Sequence, residues 1–158
     1  MREVPQLGER GGGWVVLQFV LMPAVIAVGL LAPGWPGGLA GAFKVIGAAL
    51  AFAGGAVLFL AARALGSNLT PFPRPVERGQ VTSAGPYAVV RHPIYSGGVL
   101  FFVGFGLAFS PWALGLALLL AAVWGSKAVV EERFLRARYP GYAEYAARTR
   151  YRLVPFVY

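Results

Sequence analysis

The chain is dominated by long apolar runs, and one polar connector divides them into two pairs. The runs extend from about Trp14 to Ala32, Leu39 to Leu65, Ile94 to Phe109 and Trp112 to Val130. A helix rises 1.5 Å per residue, so about 20 apolar residues cross a bilayer core of roughly 30 Å. The first two runs meet that length. The third and fourth are marginal and predict a tilted helical hairpin that turns at Ser110-Pro111. The first run exceeds a signal-peptide core and lacks a small-residue cleavage site, so it reads as a retained span. Pro23 predicts a kink within it, which membrane helices tolerate. Pro33-Gly34-Trp35-Pro36-Gly37-Gly38 forms the turn to the second run. Lys44 sits near that run's outer end, where its stem can snorkel to the interface. Gly47, Gly54 and Gly55 either allow close helix packing or are incidental in a glycine-rich chain.

The connector from Gly66 to Pro93 carries Pro71, Pro73, Pro75, Gly79, Gly85 and Pro86 and breaks the apolar pattern. Long irregular loops in compact proteins are usually functional or disordered. Phe72, Val81, Tyr87, Val89 and Val90 predict that this one is ordered. From Glu131 to Tyr158 the chain is amphipathic and rich in Arg and Tyr, and Pro140-Gly141 divides it into two short helical pieces. The expected fold is all-α: an integral membrane helical bundle of about four transmembrane helices with a C-terminal amphipathic helical region. It forms a single membrane domain over 1–158, with residues 1–65 supplying two spans and 66–158 the rest.

Composition sharpens this picture. Of 158 residues, 58% are hydrophobic, against about 45–50% in soluble domains. The absence of cysteine excludes disulfides, thiolate metal sites and a cysteine nucleophile. His92 is the sole histidine, so a multi-histidine metal centre is excluded and no metal is expected. The formal net charge of +8 would suggest nucleic acid in a soluble protein. Beside apolar spans it points to membrane topology and anionic headgroups instead, with no nucleic acid partner. Arg63, Arg74, Arg78 and Arg91 outweigh Glu77 around the connector. Lys127, Arg133, Arg136, Arg138, Arg148, Arg150 and Arg152 outweigh Glu131, Glu132 and Glu144 in the tail. The turns at 33–38 and 110–111 are uncharged. The positive-inside rule then puts both basic regions and both termini in the cytoplasm.

Candidate chemistry gathers at the end of the connector. Arg91-His92-Pro93-Ile94-Tyr95 leads straight into an apolar run. Pro93 suits the first helical turn, and it biases His92 toward extended backbone. The segment is thus a loop-to-helix junction at the membrane face, where free N–H groups and Arg91 suit an anion. An equally simple reading has Arg91 on lipid phosphate and His92 capping the helix. Glu131 and Glu132 follow the fourth run directly. Adjacent helical side chains diverge by about 100°, so one of the two is expected to face inward. An inward carboxylate needs a cationic partner, for which Arg91 and Arg148 are candidates; surface pairing with Arg136 is the plainer alternative. Tyr142 and Tyr145 share a helical face. With Tyr151 and the nearby arginines they form an interfacial belt, or they wall an adenine or shield a cation. No P-loop, HExxH or GxSxG stretch is present, and Gly11-Gly12-Gly13 is no dinucleotide loop.

Several of these pieces together resemble the isoprenylcysteine carboxyl methyltransferase and phospholipid methyltransferase superfamily. They are Leu69-Thr70-Pro71-Phe72-Pro73-Arg74-Pro75, Gly85-Pro86-Tyr87, Arg91-His92-Pro93-Ile94-Tyr95, and Glu131-Glu132 with Leu135, Tyr142, Tyr145, Arg148 and Pro155. They occur in the family's order over roughly residues 65–156. The resemblance implies an integral membrane enzyme that uses S-adenosylmethionine without a Rossmann domain. It implies a cofactor pocket at the cytoplasmic face lined by Tyr87, His92, Pro93 and Tyr95, with Glu131, Tyr142 and Tyr145 from the C-terminal region. Arg91, Glu132 and Arg148 match polar positions that the family uses for cofactor, substrate or chemistry. The implied partners are a lipophilic small molecule or lipid as methyl acceptor, passing laterally between the third and fourth helices, and membrane lipids. Tyr139-Pro140-Gly141-Tyr142 and Thr149-Arg150 depart from the family pattern and argue against a prenylcysteine acceptor. The Ala, Gly and Arg-rich composition suggests a prokaryotic inner membrane. A nicotinamide-dependent membrane reductase with a related C-terminal region, or a non-catalytic membrane adaptor, is the alternative; binding of S-adenosylhomocysteine against NADPH separates them.

Overall fold

The computed structural model of the chain describes residues 4–155. Its helices are α1 (Gly12–Leu31), α2 (Ala40–Leu65), α3 (Pro93–Phe109), α4 (Pro111–Arg138) and α5 (Tyr142–Arg148). Short 3-10 turns at Gly66–Asn68 and Gly85–Ala88 punctuate the connector. There is no β-sheet among the described residues, so the all-α expectation stands. α1, α2 and α4 are long and apolar enough to cross a membrane. α3 has 17 residues, about 25 Å of helix, and is the short member of the bundle. α1 runs unbroken through Pro23.

α3 is central. It packs along α2 on one side and against α4 and α1 on the other, while α1 also packs on α4. Glycines set the α2–α3 contact. A Cβ on Gly54 would lie 2.4 Å from Phe101 N and 2.6 Å from Gly97 O, and one on Gly47 would lie 2.5 Å from Gly104 O. Gly97 and Gly104 face Leu58 and Ala51 in return. Seven-residue spacing on both helices puts these glycines on one seam, where backbone meets backbone as small residues allow in membranes. Gly55, on another face of α2, has nothing within 4 Å of a Cβ. Gly47 and Gly54 are thus packing residues and Gly55 is not.

α3 and α4 form a tight hairpin. Ser110 Oγ accepts from Trp112 N–H at 3.3 Å as N-cap of α4 and donates to Pro33 O at 2.9 Å, tying the hairpin to the turn after α1. Phe102, Ala113, Ala117, Leu120, Trp124 and Ala128 fill the core between them. α4 continues beyond the apolar run to Arg138, so the first short piece expected in the tail is one helix with the fourth span. Only the second piece, α5, is separate. The extension matters because it carries Glu131 and Glu132, on the same rigid element as the span, to the bundle end where the connector and the tail lie.

Candidate active site

Pro93 opens α3, and the residue before it is held out of the helix at φ −126° and ψ 62°. That extended stretch leaves backbone groups for the tail to pair with. Val90 and Tyr151 form a parallel bridge. Arg91 N–H donates to Tyr151 O at 2.9 Å and His92 N–H to Arg152 O at 3.0 Å. Ser96 Oγ donates to Leu153 O at 2.5 Å, and Leu153 is buried in the main core. The C-terminal segment is therefore stitched to the start of α3.

A nearly buried ion cluster locks this arrangement. Glu132, 4% exposed, accepts from Arg91 Nε at 2.7 Å and from Arg152 Nε at 3.0 Å and Nη2 at 3.2 Å. His92 Nε2 stands 3.4 Å from the same carboxylate. Arg91 Nη1 also donates to Thr149 O at 2.9 Å and Arg150 O at 2.6 Å. Carboxylate, guanidinium groups and carbonyls thus satisfy one another, as buried charge requires. The cluster joins α4, the connector and the tail.

In front of it opens a cleft of about 760 Å³, its open mouth included. Tyr87, Tyr95, Tyr139, Tyr142 and Tyr145 line it with Glu131, Arg91 and His92. Leu65, Leu69, Ile94 and Leu135 give it an apolar flank, and Asn68, Thr70 and Thr82 a polar one. Tyr95 OH donates to Glu131 Oε2 at 2.6 Å, and the Tyr95 ring stacks on His92. Tyr145 OH donates to Tyr87 O at 2.8 Å, which pins α5 over the 85–88 turn. The Tyr142 hydroxyl is buried without a protein partner. Burial raises the Tyr87 and Tyr142 hydroxyls above the usual phenol range and pushes Tyr145 up to about 12. All three are neutral donors at physiological pH. Among the described residues no three of His, Cys, Asp and Glu cluster to hold a metal ion.

Of the residues singled out from the sequence, Tyr87, Arg91, His92, Tyr95, Glu131, Tyr142 and Tyr145 converge on this cleft. Pro93 is buried just behind it. Glu132 sits in the ion cluster alongside. Arg148 does not join them. Its side chain is 70% exposed on α5 and lies 3.6 Å from Glu144. The second arginine on Glu132 is Arg152, because the chain becomes extended after Thr149 and its pairing with residues 90–92 brings Arg152 back to α4. His92 makes no side-chain cap on α3. Glu131 and Glu132 both find inward partners, unlike the expectation that one would, since connector and tail cover α4 from two sides. The α3–α4 seam expected to admit the acceptor is closed: a Cβ on Gly98 would lie 2.7 Å from the Trp124 ring, and one on Gly106 2.5 Å from the Leu114 backbone. Sequence reasoning missed Asn68, whose Nδ2 donates to Gln80 O at 3.0 Å and which folds the connector back on itself. An isolated Asn just past a helix end was the signal.

Residues 43–141, which include the connector, α3, α4 and the paired glutamates, match the family model for phospholipid methyltransferase. The cobalt-zinc-cadmium resistance protein CzcN of Cupriavidus metallidurans is 38% identical over 71 residues, 44% of this chain and 33% of that protein. The matched stretch is thus about a third of that relative's length. With the family model spanning well over half of the residues, the chain belongs to the phospholipid methyltransferase family.

Proposed function

We propose that the chain transfers a methyl group from S-adenosylmethionine, held in this cleft, to a lipophilic acceptor bearing a carboxylate or an amine. The observation that carries the reading is the meeting of five tyrosines and an inward carboxylate in one cleft at the polar end of an apolar bundle. The lining suits the donor's chemistry. Aromatic and aliphatic walls fit an adenine, Glu131 and the ring faces fit a cation, and the buried Tyr142 hydroxyl has a hydrogen bond to give. The basic end of the bundle is read as cytoplasmic, in a prokaryotic inner membrane, with the donor reaching the cleft from that side.

S-adenosylmethionine supplies a methyl group already activated on a sulfonium. What the chain adds is alignment, which can contribute up to about 7–11 kcal/mol when reacting groups are well oriented. Tyr87 and Tyr145, joined by their hydrogen bond, and Tyr95, fixed between His92 and Glu131, form rigid walls for that purpose. Arg91 offers a positive charge at the cleft edge to an acceptor carboxylate. For an amine acceptor, Glu131 borders the cleft and is the carboxylate placed to take a proton, since Glu132 is committed to arginines. The acceptor reaches the cleft along its apolar flank of Leu65, Leu69, Ile94 and Leu135, between the ends of α2 and α4, which make no substantial contact.

The test is to incubate the purified protein in lipid with methyl-labelled S-adenosylmethionine and a native lipid extract, then identify the labelled product. A labelled lipophilic product is expected. No label transfer and no binding of S-adenosylhomocysteine would overturn the reading.

A further inference from the structure

Lys127 is a cation inside the bundle that the cleft does not touch. It is 1% exposed, the largest of the fully buried side chains among the described residues, and it lies one turn before Glu131, near the polar end of the α4 span. An ionisable group buried so completely is costly and needs partners to hold it. Its ammonium donates to Gln18 Oε1 at 2.5 Å and to Pro71 O at 2.7 Å. It also sits 5.2 Å from the centroid of the Tyr95 ring. Two oxygens and a ring face thus surround the ammonium, and Glu131 one turn on along α4 adds an electrostatic attraction without a direct ion pair. Trp124 Nε1 donates to the same Gln18 oxygen at 3.1 Å, fixing that amide between α1 and α4.

The placement gives this cation a task. Lys127 and Glu131 lie one turn apart on α4, and Tyr95 of α3 lies between them. Its ring faces the ammonium while its hydroxyl donates to Glu131 Oε2. A cation over a phenol ring strengthens the hydroxyl as a donor. The Pro71 carbonyl meanwhile anchors the proline-rich connector, whose neighbours Leu69, Thr70 and Pro75 line the cleft. We propose that Lys127 is a positioning residue: it pins the connector to α1 and α4 and, through Tyr95, holds Glu131 in its place on the cleft wall. Its effect on the cofactor rests on the function proposed above; its hold on the connector does not.

The test uses the full chain in lipid nanodiscs, with S-adenosylhomocysteine affinity and hydrogen exchange of residues 69–74 as readouts. Lys127→Met, which keeps the length and loses the charge, is expected to weaken affinity at least tenfold and to speed exchange at 69–74 at least tenfold. Tyr95→Phe is expected to weaken affinity similarly and leave that exchange unchanged. The double variant is expected to bind no more weakly than Lys127→Met alone. A merely structural lysine would instead give losses that multiply, and that result overturns the proposal. So does Lys127→Met with wild-type affinity or with wild-type exchange. Should Lys127→Met fail to insert, Gln18→Ala takes its place, with smaller losses in the same pattern. If the wild-type chain binds no S-adenosylhomocysteine, the methyltransferase reading falls, and the exchange at 69–74 decides alone whether Lys127 holds the connector.

Discussion

Replacing Glu132 by Gln probes the ion cluster with little change in shape. The carboxylate accepts three hydrogen bonds from two arginines, at 2.7, 3.0 and 3.2 Å. Side-chain exposure is 10% for Arg91, 16% for Arg152 and 6% for Glu132, so water screens the charges poorly. Removing one partner of such a cluster costs about 3–5 kcal/mol, because the remaining charges stay buried without their counterion. In the intact fold that cost falls on the docked tail, the one element that can leave without dismantling the bundle. At about 1.4 kcal/mol per tenfold change, the open population of the tail rises by two orders of magnitude or more. Tyr151 pairs with Val90 and Arg91 when docked, so chymotryptic cleavage after it requires undocking. Its rate tracks the open population when reclosing is fast. We expect cleavage of Glu132→Gln to accelerate about a hundredfold, with loss of methyl transfer and normal insertion. Cleavage within threefold of wild type together with unchanged turnover would refute the role assigned to the cluster.

Three further outcomes are expected. Gly54→Leu forces α2 from α3, since the new Cβ would strike the Phe101 and Gly97 backbone; it should cost at least about 1–3 kcal/mol in reversible unfolding from detergent, whereas Gly55→Ala should cost nothing. Arg148→Ala should leave stability within about 0.5 kcal/mol and turnover intact, because its pair with Glu144 is exposed; a large loss of turnover would restore Arg148 to the site. Tyr145 has its hydroxyl pushed from 10.0 to about 12 by burial, so between those values the folded chain holds a proton that the unfolded chain releases. Stability contributed by this group is therefore complete below pH about 10 and declines as pH rises toward 12. Denaturation midpoints over that window, followed with tyrosinate absorbance, should fall, and a rise would contradict the buried placement.

The first two spans, the loop-to-helix junction and four of the five cleft tyrosines are legible in the sequence alone. A bilayer admits only backbone that satisfies itself, so hydropathy and length nearly specify α1 and α2, whereas α4 gains its full length from the charged residues that continue it to Arg138. Pro93 imposes its local geometry whatever surrounds it, which is why the Arg91-His92-Pro93 stretch could be read as extended backbone meeting a helix. Partner choice is another matter, because it depends on where distant segments come to rest. Arg148, Arg150 and Arg152 are chemically equivalent, and Arg152 rather than Arg148 reaches Glu132 because α5 ends at Arg148 and the extended residues after it pair with 90–92. Gln18 and Lys127 lie in separate helices, 109 positions apart, and nothing local couples them. Closure of the α3–α4 seam likewise depends on Trp124 meeting Gly98. The elements and the residues able to do chemistry follow from solvent and backbone, so the chain alone carries them. Which charges meet, and which face of the bundle stays open, is settled by packing, because those are relations between surfaces that have no counterpart along the chain.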